Sequence, residues 1–312
     1  MLQYLVILLD DTSTSYCHYC VNKKERRLIP LSNLRQGIRF GMVENLMIQL
    51  VYPDYKLPQD YLDAIDTIDH SNIKPQAVKD AETDVVVLDD WNYDCHQLNG
   101  AVVLLRTIWE RFSVNYPQLK ELLAVVQRLN VVITDVERMN DSAREQYKKA
   151  LEDLSGQVER LYMDGKTPQF NLLTDRMMLA AMNNCNAGDT TITLAPNGRF
   201  YVCPAFYYDD ENDCVGDLNT GLDIKNRQFY RLDHAPICRR CDAWQCKRCV
   251  WLNRKTTLEV NTPGREQCVA AHLERNASRE LMNSLRSKGT LLPDKEEIKE
   301  ITYLDPFEVI NQ

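Results

Sequence analysis

The chain has 312 residues, of which 44% are hydrophobic and 26% are charged, and this composition is typical of a globular protein. A chain of this length suits one large domain with a smaller one. The net charge of -8, from 37 basic against 45 acidic residues, argues against a nucleic-acid partner, because phosphate binding needs clustered cations.

The chain begins with the apolar run LQYLVILL (2–9). This run is short, and neither a basic leader nor a small-residue cleavage site accompanies it. We therefore predict a buried β-strand, a protein without a membrane partner and a cytoplasmic location.

Helix-like and strand-like patterns then alternate through the first half. In chain order we predict a helix at 40–52, a strand at 84–90, helices at 100–112 and 118–129, a strand at 130–136 and an amphipathic helix at 141–165. Asp141 is the expected N-cap of the last helix, and Gly165 is its expected end. Strands joined by helical crossovers predict an α/β layer structure whose ligand-binding loops gather at the carboxyl ends of the strands.

The composition changes after the connector DGKTPQFN (164–171). We place a domain boundary near residue 175, which gives an α/β domain over 1–175, a cysteine-rich domain over 176–285 and a polar tail over 286–312. A helix is expected over RELMNSLRSKG within the last part of this region.

The cysteines are concentrated in that second region. The chain has 11 cysteines, and the segment from Cys185 to Cys268 contains most of them. Disulfides suit small secreted proteins, whereas this chain is large and has an odd number of cysteines. Metal ligation therefore explains the clustering better.

Two motifs make up this cysteine-rich segment. TTITLAPNGRFYVC alternates on each side of Pro-Asn-Gly and predicts a two-stranded hairpin that ends at Cys203. CRRCDAWQCKRC (238–249) then packs four thiols more tightly than a zinc ribbon does. Iron–sulfur clusters are held by thiolates on short loops, so iron–sulfur is favoured over zinc.

The order of these motifs resembles the SPASM domain of radical-SAM peptide maturases. Its pattern is a Cys, then Gly-x4-Cys, then a block of four Cys and a last Cys, and here these are Cys185, Gly198 with Cys203, the block 238–249 and Cys268. The block usually reads C-x2-C-x5-C-x3-C, but here it reads C-x2-C-x4-C-x2-C. The resemblance implies two auxiliary 4Fe-4S clusters, one held by Cys238, Cys241, Cys246 and Cys268, and one held by Cys185, Cys203 and Cys249 with Cys214 as the fourth ligand.

A radical-SAM core begins with a strand and a C-x3-C-x-aromatic-C loop, and SYCHYC after the first strand resembles the end of that motif. Cys17, Tyr19 and Cys20 match it, but Ser13 stands where the first cysteine is expected. In the family, three cysteines leave one iron open to S-adenosyl-L-methionine, which the cluster cleaves reductively. This resemblance makes Ser13, Cys17, Tyr19 and Cys20 the candidate cofactor-binding residues.

The serine leaves the N-terminal site open to more than one interpretation. A serine alkoxide is a poor substitute for a thiolate, and Cys95 is a conceivable third ligand. The Gly-Gly-Glu stretch that contacts the methionyl amine in the family is not evident, and its nearest candidate position, IDHSNIKP, lacks it. The two cysteines then either hold a cluster with another ligand or are inherited residues of a core that has lost it.

Together, the N-terminal loop and the cysteine-rich motifs resemble the CXXX repeat peptide maturase family over nearly the whole chain. The implied fold is a partial (β/α) barrel of the radical-SAM type followed by a small SPASM-like iron–sulfur domain. The implied partner is a ribosomally made precursor peptide with Cys at every fourth residue, together with a reductant protein. The implied reaction is a modification of those cysteines, for example into thioethers.

Two other functions remain open at the level of sequence. The chain is then either a non-catalytic protein that presents the peptide to a second, intact radical-SAM maturase, or a simple electron carrier.

Overall fold

The computed structural model describes residues 1–13 and 25–289. Its centre is a nine-stranded sheet in the order β7-β6-β5-β4-β3-β2-β1-β8-β9. The strands are β1 (Tyr4–Leu8), β2 (Met47–Val51), β3 (His70–Pro75), β4 (Val85–Leu88), β5 (Val102–Thr107), β6 (Arg128–Ile133), β7 (Gln169–Phe170), β8 (Thr191–Leu194) and β9 (Phe200–Tyr201). A separate two-stranded sheet joins β10 (Gly216–Asp217) to β11 (Gly221–Leu222).

Nine α-helices are described between and after these strands. They are α1 (Leu31–Val43), α2 (Gln59–Ile65), α3 (Trp109–Asn115), α4 (Leu119–Val125), α5 (Asp141–Met163), α6 (Asp175–Met178), α7 (Pro204–Asp209), α8 (Val250–Thr257) and α9 (Arg265–Ser287). The two longest, α5 and α9, pack against each other.

The strands from β1 to β7 are neighbours in chain order and pair in parallel. Sequential order without a reversal is the winding of a (β/α) barrel, whereas a doubly wound sheet reverses its order near the middle. The predicted α/β fold of the partial-barrel type is therefore confirmed. Such a sheet collects the loops that follow its strands at one edge.

The sheet continues past the predicted boundary near residue 175. β8 pairs in parallel with β1, and β9 returns antiparallel to β8, as the hairpin prediction required. Gly198 adopts φ 78 at the turn, a conformation that suits glycine. β8 and β9, which follow residue 175, therefore belong to the same sheet as the strands that precede it.

Several other elements match the sequence predictions. β1, β4 and β6 fall within or overlap the predicted strands, and α4, α5 and α9 overlap the predicted helices. The Oδ1 of Asn140, rather than the predicted Asp141, accepts the capping bond of α5 from Ala143 N at 2.9 Å. Gly165 ends that helix region at φ 77.

Two helix predictions were wrong because they covered strands. The predicted helix at 40–52 contains the end of α1 and then β2, and the predicted helix at 100–112 contains β5 and the start of α3. Asn45, at φ 53, ends α1 in the left-handed conformation. Strands buried on both faces carry continuous apolar runs, and such runs cannot be told from buried helices by periodicity.

Candidate functional site

The first candidate site lies at the carboxyl edge of β1. Cys17, Tyr19 and Cys20 lie outside the described residues, but both chain ends that flank them are described. Asp11 N donates to Arg27 O at 3.2 Å, and Ile29 N donates to Leu9 O at 2.8 Å. The described residues on either side of these cysteines therefore lie side by side at the same edge of the sheet.

Ser13, which stands where a first cysteine is expected, is fully buried. Its hydroxyl donates to Val51 O at 2.9 Å and accepts from Asp10 N at 3.0 Å. Tyr208 Oη donates to Ser13 O at 2.7 Å. The hydroxyl thus joins the loop after β1 to the end of β2, and its proton is used in that bond.

A charged cluster holds the loop after β1 against α7. Arg27 Nε lies 2.7 Å from Asp11 Oδ2, and Arg27 Nη2 donates to Tyr207 Oη at 2.6 Å. Tyr207 Oη also donates to Asp11 Oδ1 in a short hydrogen bond. Burial and the Asp11 carboxylate raise the pKa of Tyr207, so its phenol stays protonated as the donor in this contact.

The segment after β2 is where a contact to the methionyl amine is expected. It reads Tyr52-Pro53-Asp54-Tyr55, without a Gly-Gly-Glu stretch. The nearest candidate position in the sequence for that stretch, IDHSNIKP, contains β3 itself. Tyr55 Oη donates to Asp10 Oδ2 at 2.9 Å, and Asp54 lies 3.4 Å from Arg26 Nη2.

The second candidate site is a cavity lined by thiols. Its lining includes Cys238, Cys241, Cys246 and Cys268, the four residues that the SPASM resemblance assigns to one cluster. They come from the cysteine block and from the first turn of α9, so the structure brings separate parts of the chain together here. The cavity has a volume of about 20 Å³.

The donor set of this cavity fits a thiolate-bound metal centre. Sulfur is the ligand type that iron–sulfur clusters use. Within residues 1–13 and 25–289, no three His, Cys, Asp or Glu side chains are spaced as ligands of one metal ion. The thiol side chains would therefore have to change position in order to bind a metal.

Main-chain amides already point at two of these sulfurs. Ala243 N donates to Cys241 Sγ at 3.4 Å, and Arg248 N donates to Cys246 Sγ at 3.4 Å. Burial raises the pKa of Cys246, and the neighbouring Cys238 and Cys241 raise it further. A buried thiolate at Cys246 therefore needs a nearby positive charge, which a metal would supply.

His272 is a residue of this cavity that the sequence interpretation missed. Its Nε2 lies 3.7 Å from Cys241 Sγ, and it is buried on α9. Cys268 and His272 are four residues apart on one helix, so they share a face. That spacing was visible in the sequence and is the signal that could have identified His272.

The cysteine block is anchored to the helices by a buried ion network. Asp242 Oδ1 accepts from Arg275 Nη1 at 2.9 Å, and Asp242 Oδ2 lies 3.5 Å from Arg176 Nη2 and from Arg279 Nη2. Arg176 Nε also donates to Asp242 O at 3.0 Å. These contacts hold the residue after Cys241 between α6 and α9.

The second predicted ligand set is placed on neighbouring elements. Cys203 and Cys249 precede α7 and α8, and both are buried in the main core, against which Cys185 and Cys214 pack. Cys185 N donates to Lys247 O at 3.0 Å, which joins it to the cysteine block. This set does not line the thiol cavity of the first set.

Cys95 lies in a short turn between β4 and β5. Burial raises the pKa of its thiol, and Glu121 and Asp94 raise it further. This environment favours the protonated thiol over a metal-binding thiolate.

A second cavity, of about 80 Å³, lies between Cys246 and the carboxyl ends of β6 and β7. Glu274 faces it, and burial raises the pKa of that carboxyl to about 7. Tyr147 Oη donates to Glu274 Oε1 at 2.7 Å, and Gln245 Nε2 donates to Glu274 Oε2 at 3.3 Å. This cavity connects the thiol region to the sheet edge where ligands bind in α/β folds.

Comparison with solved structures supports the α/β fold of the partial-barrel type over nearly the whole chain. The chain is similar to native anSMEcpe with bound AdoMet and Cp18Cys peptide, at a TM-score of 0.62 and 12% identity, over 92% of this chain and 100% of that chain. It is also similar to a histidine-tagged form of anSMEcpe with bound AdoMet, at a TM-score of 0.63 and 12% identity over the same shares. At this identity the likeness establishes the fold.

No protein-family model matches the sequence. No curated protein matches it either. In the part of the chain that the structure describes, every helix is too short or too polar to cross a membrane.

Proposed function

We propose that this chain takes part in the maturation of a ribosomally made peptide with Cys at every fourth residue, as a radical-SAM-type protein with thiolate-bound iron–sulfur centres. The observation that carries the proposal is the convergence of Cys238, Cys241, Cys246 and Cys268 on one cavity. The shared fold supports it, since anSMEcpe is described with both AdoMet and a peptide.

The chain's own residues have distinct parts in this proposal. The thiols of the cavity would hold one centre, and Cys185, Cys203, Cys214 and Cys249 would hold another. The division into an α/β domain over 1–175, a cysteine-rich domain over 176–285 and a tail over 286–312 belongs to the proposal. When bound, such centres supply one-electron transfer.

At the N-terminal site, Cys17 and Cys20 would hold a further cluster with AdoMet, beside Tyr19. When bound, that cluster would supply the electron for reductive cleavage of AdoMet. The Asp11–Arg27–Tyr207 cluster would fix both ends of the loop that presents these cysteines. The product on the peptide would be a thioether, in which a cysteine sulfur bonds to a peptide carbon. The carbon would lose one hydrogen atom to the 5′-deoxyadenosyl group that AdoMet cleavage supplies, and the thiol would release a proton while an auxiliary centre accepts the remaining electron.

The test is anaerobic reconstitution of the full chain with iron and sulfide. We expect about eight irons per chain from two centres, and about four more if the N-terminal cluster forms. Cys238→Ala and Cys203→Ala should each remove about four irons, because each belongs to one four-iron centre. A colourless product that carries one zinc per chain would contradict the proposal.

A second candidate function is a non-catalytic partner that presents the peptide to an intact radical-SAM maturase. The hydroxyl of Ser13, buried and hydrogen-bonded to Val51 O, and the Tyr-Pro-Asp sequence after β2 favour it. Incubation with AdoMet and a reductant separates the two. Release of 5′-deoxyadenosine that disappears in Cys17→Ala supports the enzyme, whereas peptide binding without that release supports the partner.

A further inference from the structure

Arg248 is a buried cation on the wall of the thiol cavity. Its side chain is 1% exposed, and it lines the cavity together with Cys238, Cys241, Cys246 and Cys268. Nε donates to Asn184 Oδ1 at 2.8 Å, and Nη2 donates to Tyr230 O in a short hydrogen bond. Both acceptors are uncharged.

The third nitrogen of this guanidinium, Nη1, is buried and has no hydrogen-bond partner in the described part of the chain. A buried cation is unfavourable unless an anion compensates it. The buried carboxylate of Asp242, in the same cysteine block, contacts Arg176, Arg275 and Arg279. The four thiols that line the cavity with Arg248 would supply negative charge to it when they bind a metal as thiolates.

The main chain at Arg248 has a separate part in the same cavity. Arg248 adopts φ 46, and its N–H donates to Cys246 Sγ at 3.4 Å. This left-handed conformation is unfavourable for residues other than glycine. The amide of Arg248 thus contacts one of the sulfurs, and the same buried residue lines the cavity that all four thiols line.

We propose that Arg248 is the counter-cation of an iron–sulfur centre held by Cys238, Cys241, Cys246 and Cys268, and that its charge raises the reduction potential of that centre. The inference rests on the proposed function, because it requires the centre to exist. A centre bound by four thiolates is anionic, and its negative charge grows when it gains an electron. A buried cation therefore stabilises the reduced form more than the oxidised form.

The experiment is a redox titration of the anaerobically reconstituted full chain, followed by electron paramagnetic resonance. It is done in a Cys17→Ala, Cys203→Ala background, so that neither the proposed N-terminal cluster nor the other proposed auxiliary centre contributes to the signal. Arg248→Gln removes the positive charge, whereas Arg248→Lys keeps the charge on a side chain that is similar in length to arginine. We expect Arg248→Gln to lower the reduced-to-oxidised ratio about tenfold at the parent midpoint, which is ~59 mV for one electron.

Arg248→Lys should keep at least two thirds of the difference in midpoint potential between the parent and Arg248→Gln. Arg240→Gln is the matched control: it removes the same charge from an exposed side chain between Cys238 and Cys241, where solvent screens it. Its shift should be less than a third of that of Arg248→Gln.

The outcomes separate this inference from the proposed function. If the parent binds neither iron nor sulfide, the proposed function fails. If the parent loads fully but Arg248→Gln and Arg248→Lys have the same potential, only the inference on Arg248 is wrong. Loss of iron from Arg248→Gln alone supports the inference, because the centre would then need the positive charge. Loss of iron from both Arg248→Gln and Arg248→Lys overturns the inference, because the centre would then depend on the shape of the arginine side chain.

Discussion

At the scale of single residues, Asp242 is the buried anion on which the position of the cysteine block depends. Its side chain is 3% exposed and contacts Arg275 at 2.9 Å and Arg176 at 3.5 Å, and those two side chains are 5% and 0% exposed. Removing one partner from a buried ion network leaves uncompensated charge, which usually costs several kcal/mol. The stability of this region should therefore respond strongly to Asp242.

We expect Asp242→Asn to lower the free energy of unfolding by about 3 to 5 kcal/mol, because it leaves two buried guanidinium groups without their carboxylate. Urea denaturation of the full chain, monitored by circular dichroism, measures this change. Asp153→Asn is the control, since Asp153 is 42% exposed and pairs with Lys120 at 2.7 Å. A surface pair of that kind contributes about 0 to 1 kcal/mol. Equal effects from the two variants would show that the network does not carry the stability.

The residues of the site differ in how far the sequence could predict them. The cysteines of the block were identifiable because ligands on one short loop have a local spacing. Arg176 and Asp242 are 66 positions apart in the chain, and no local pattern indicates that they meet. Arg248 was visible only as one of several cations in the block, and burial, which the sequence does not show, is what distinguishes it from Arg240.

At the scale of elements, α1 packs closely on the sheet through two glycines. A Cβ atom at Gly37 would lie 2.3 Å from Leu194 Cδ2, and one at Gly41 would lie 2.7 Å from Ile48 Cδ1. Leu194 belongs to β8 and Ile48 belongs to β2, and both are buried. The approach of α1 therefore couples strands that lie far apart in the chain.

Alanine at Gly37 or Gly41 should destabilise the protein, although alanine favours helices by about 1 kcal/mol. Overpacking in a filled core costs about 1 to 3 kcal/mol, so we expect a net loss at both positions. Gly156→Ala in α5 is the matched control, because a Cβ there meets no described heavy atom within 4 Å. It should raise the free energy of unfolding by about 0.5 to 1 kcal/mol. Chemical denaturation decides, and a gain at all three positions would mean that the core tolerates the added methyl groups.

The elements that were wrongly predicted share one physical cause. β2 and β5 are buried on most of their residues, and each stands close to a helix in the chain: α1 precedes β2, and α3 follows β5. An apolar strand and the apolar face of such a helix then merge into one run in the sequence. β1, which no described helix adjoins in the chain, and β8, which ends at a Pro-Asn-Gly turn, had no such neighbour and were predicted correctly.

At the scale of the whole molecule, regular secondary structure and hydrophobic core are unevenly distributed along the chain. The sheet has two extensive hydrophobic core clusters, whereas the segment 227–249 consists of loops and short 3-10 turns. Such a segment depends on side-chain contacts and on any metal that its thiols hold. A metal would therefore stabilise the cysteine block and the start of α9 more than the sheet.

Removal of iron from the reconstituted full chain should accordingly open one region. We expect amides in residues 238–249 and in the first turns of α9 to exchange hydrogen at least about tenfold faster after anaerobic chelation, while β1 to β6 keep their protection. Hydrogen exchange read by mass spectrometry resolves these segments. Cys268→Ala, which cannot complete the proposed centre, should already exchange fast there and should not respond to the chelator. Faster exchange spread equally over the sheet would contradict this picture, because the metal would then stabilise the molecule as one cooperative unit.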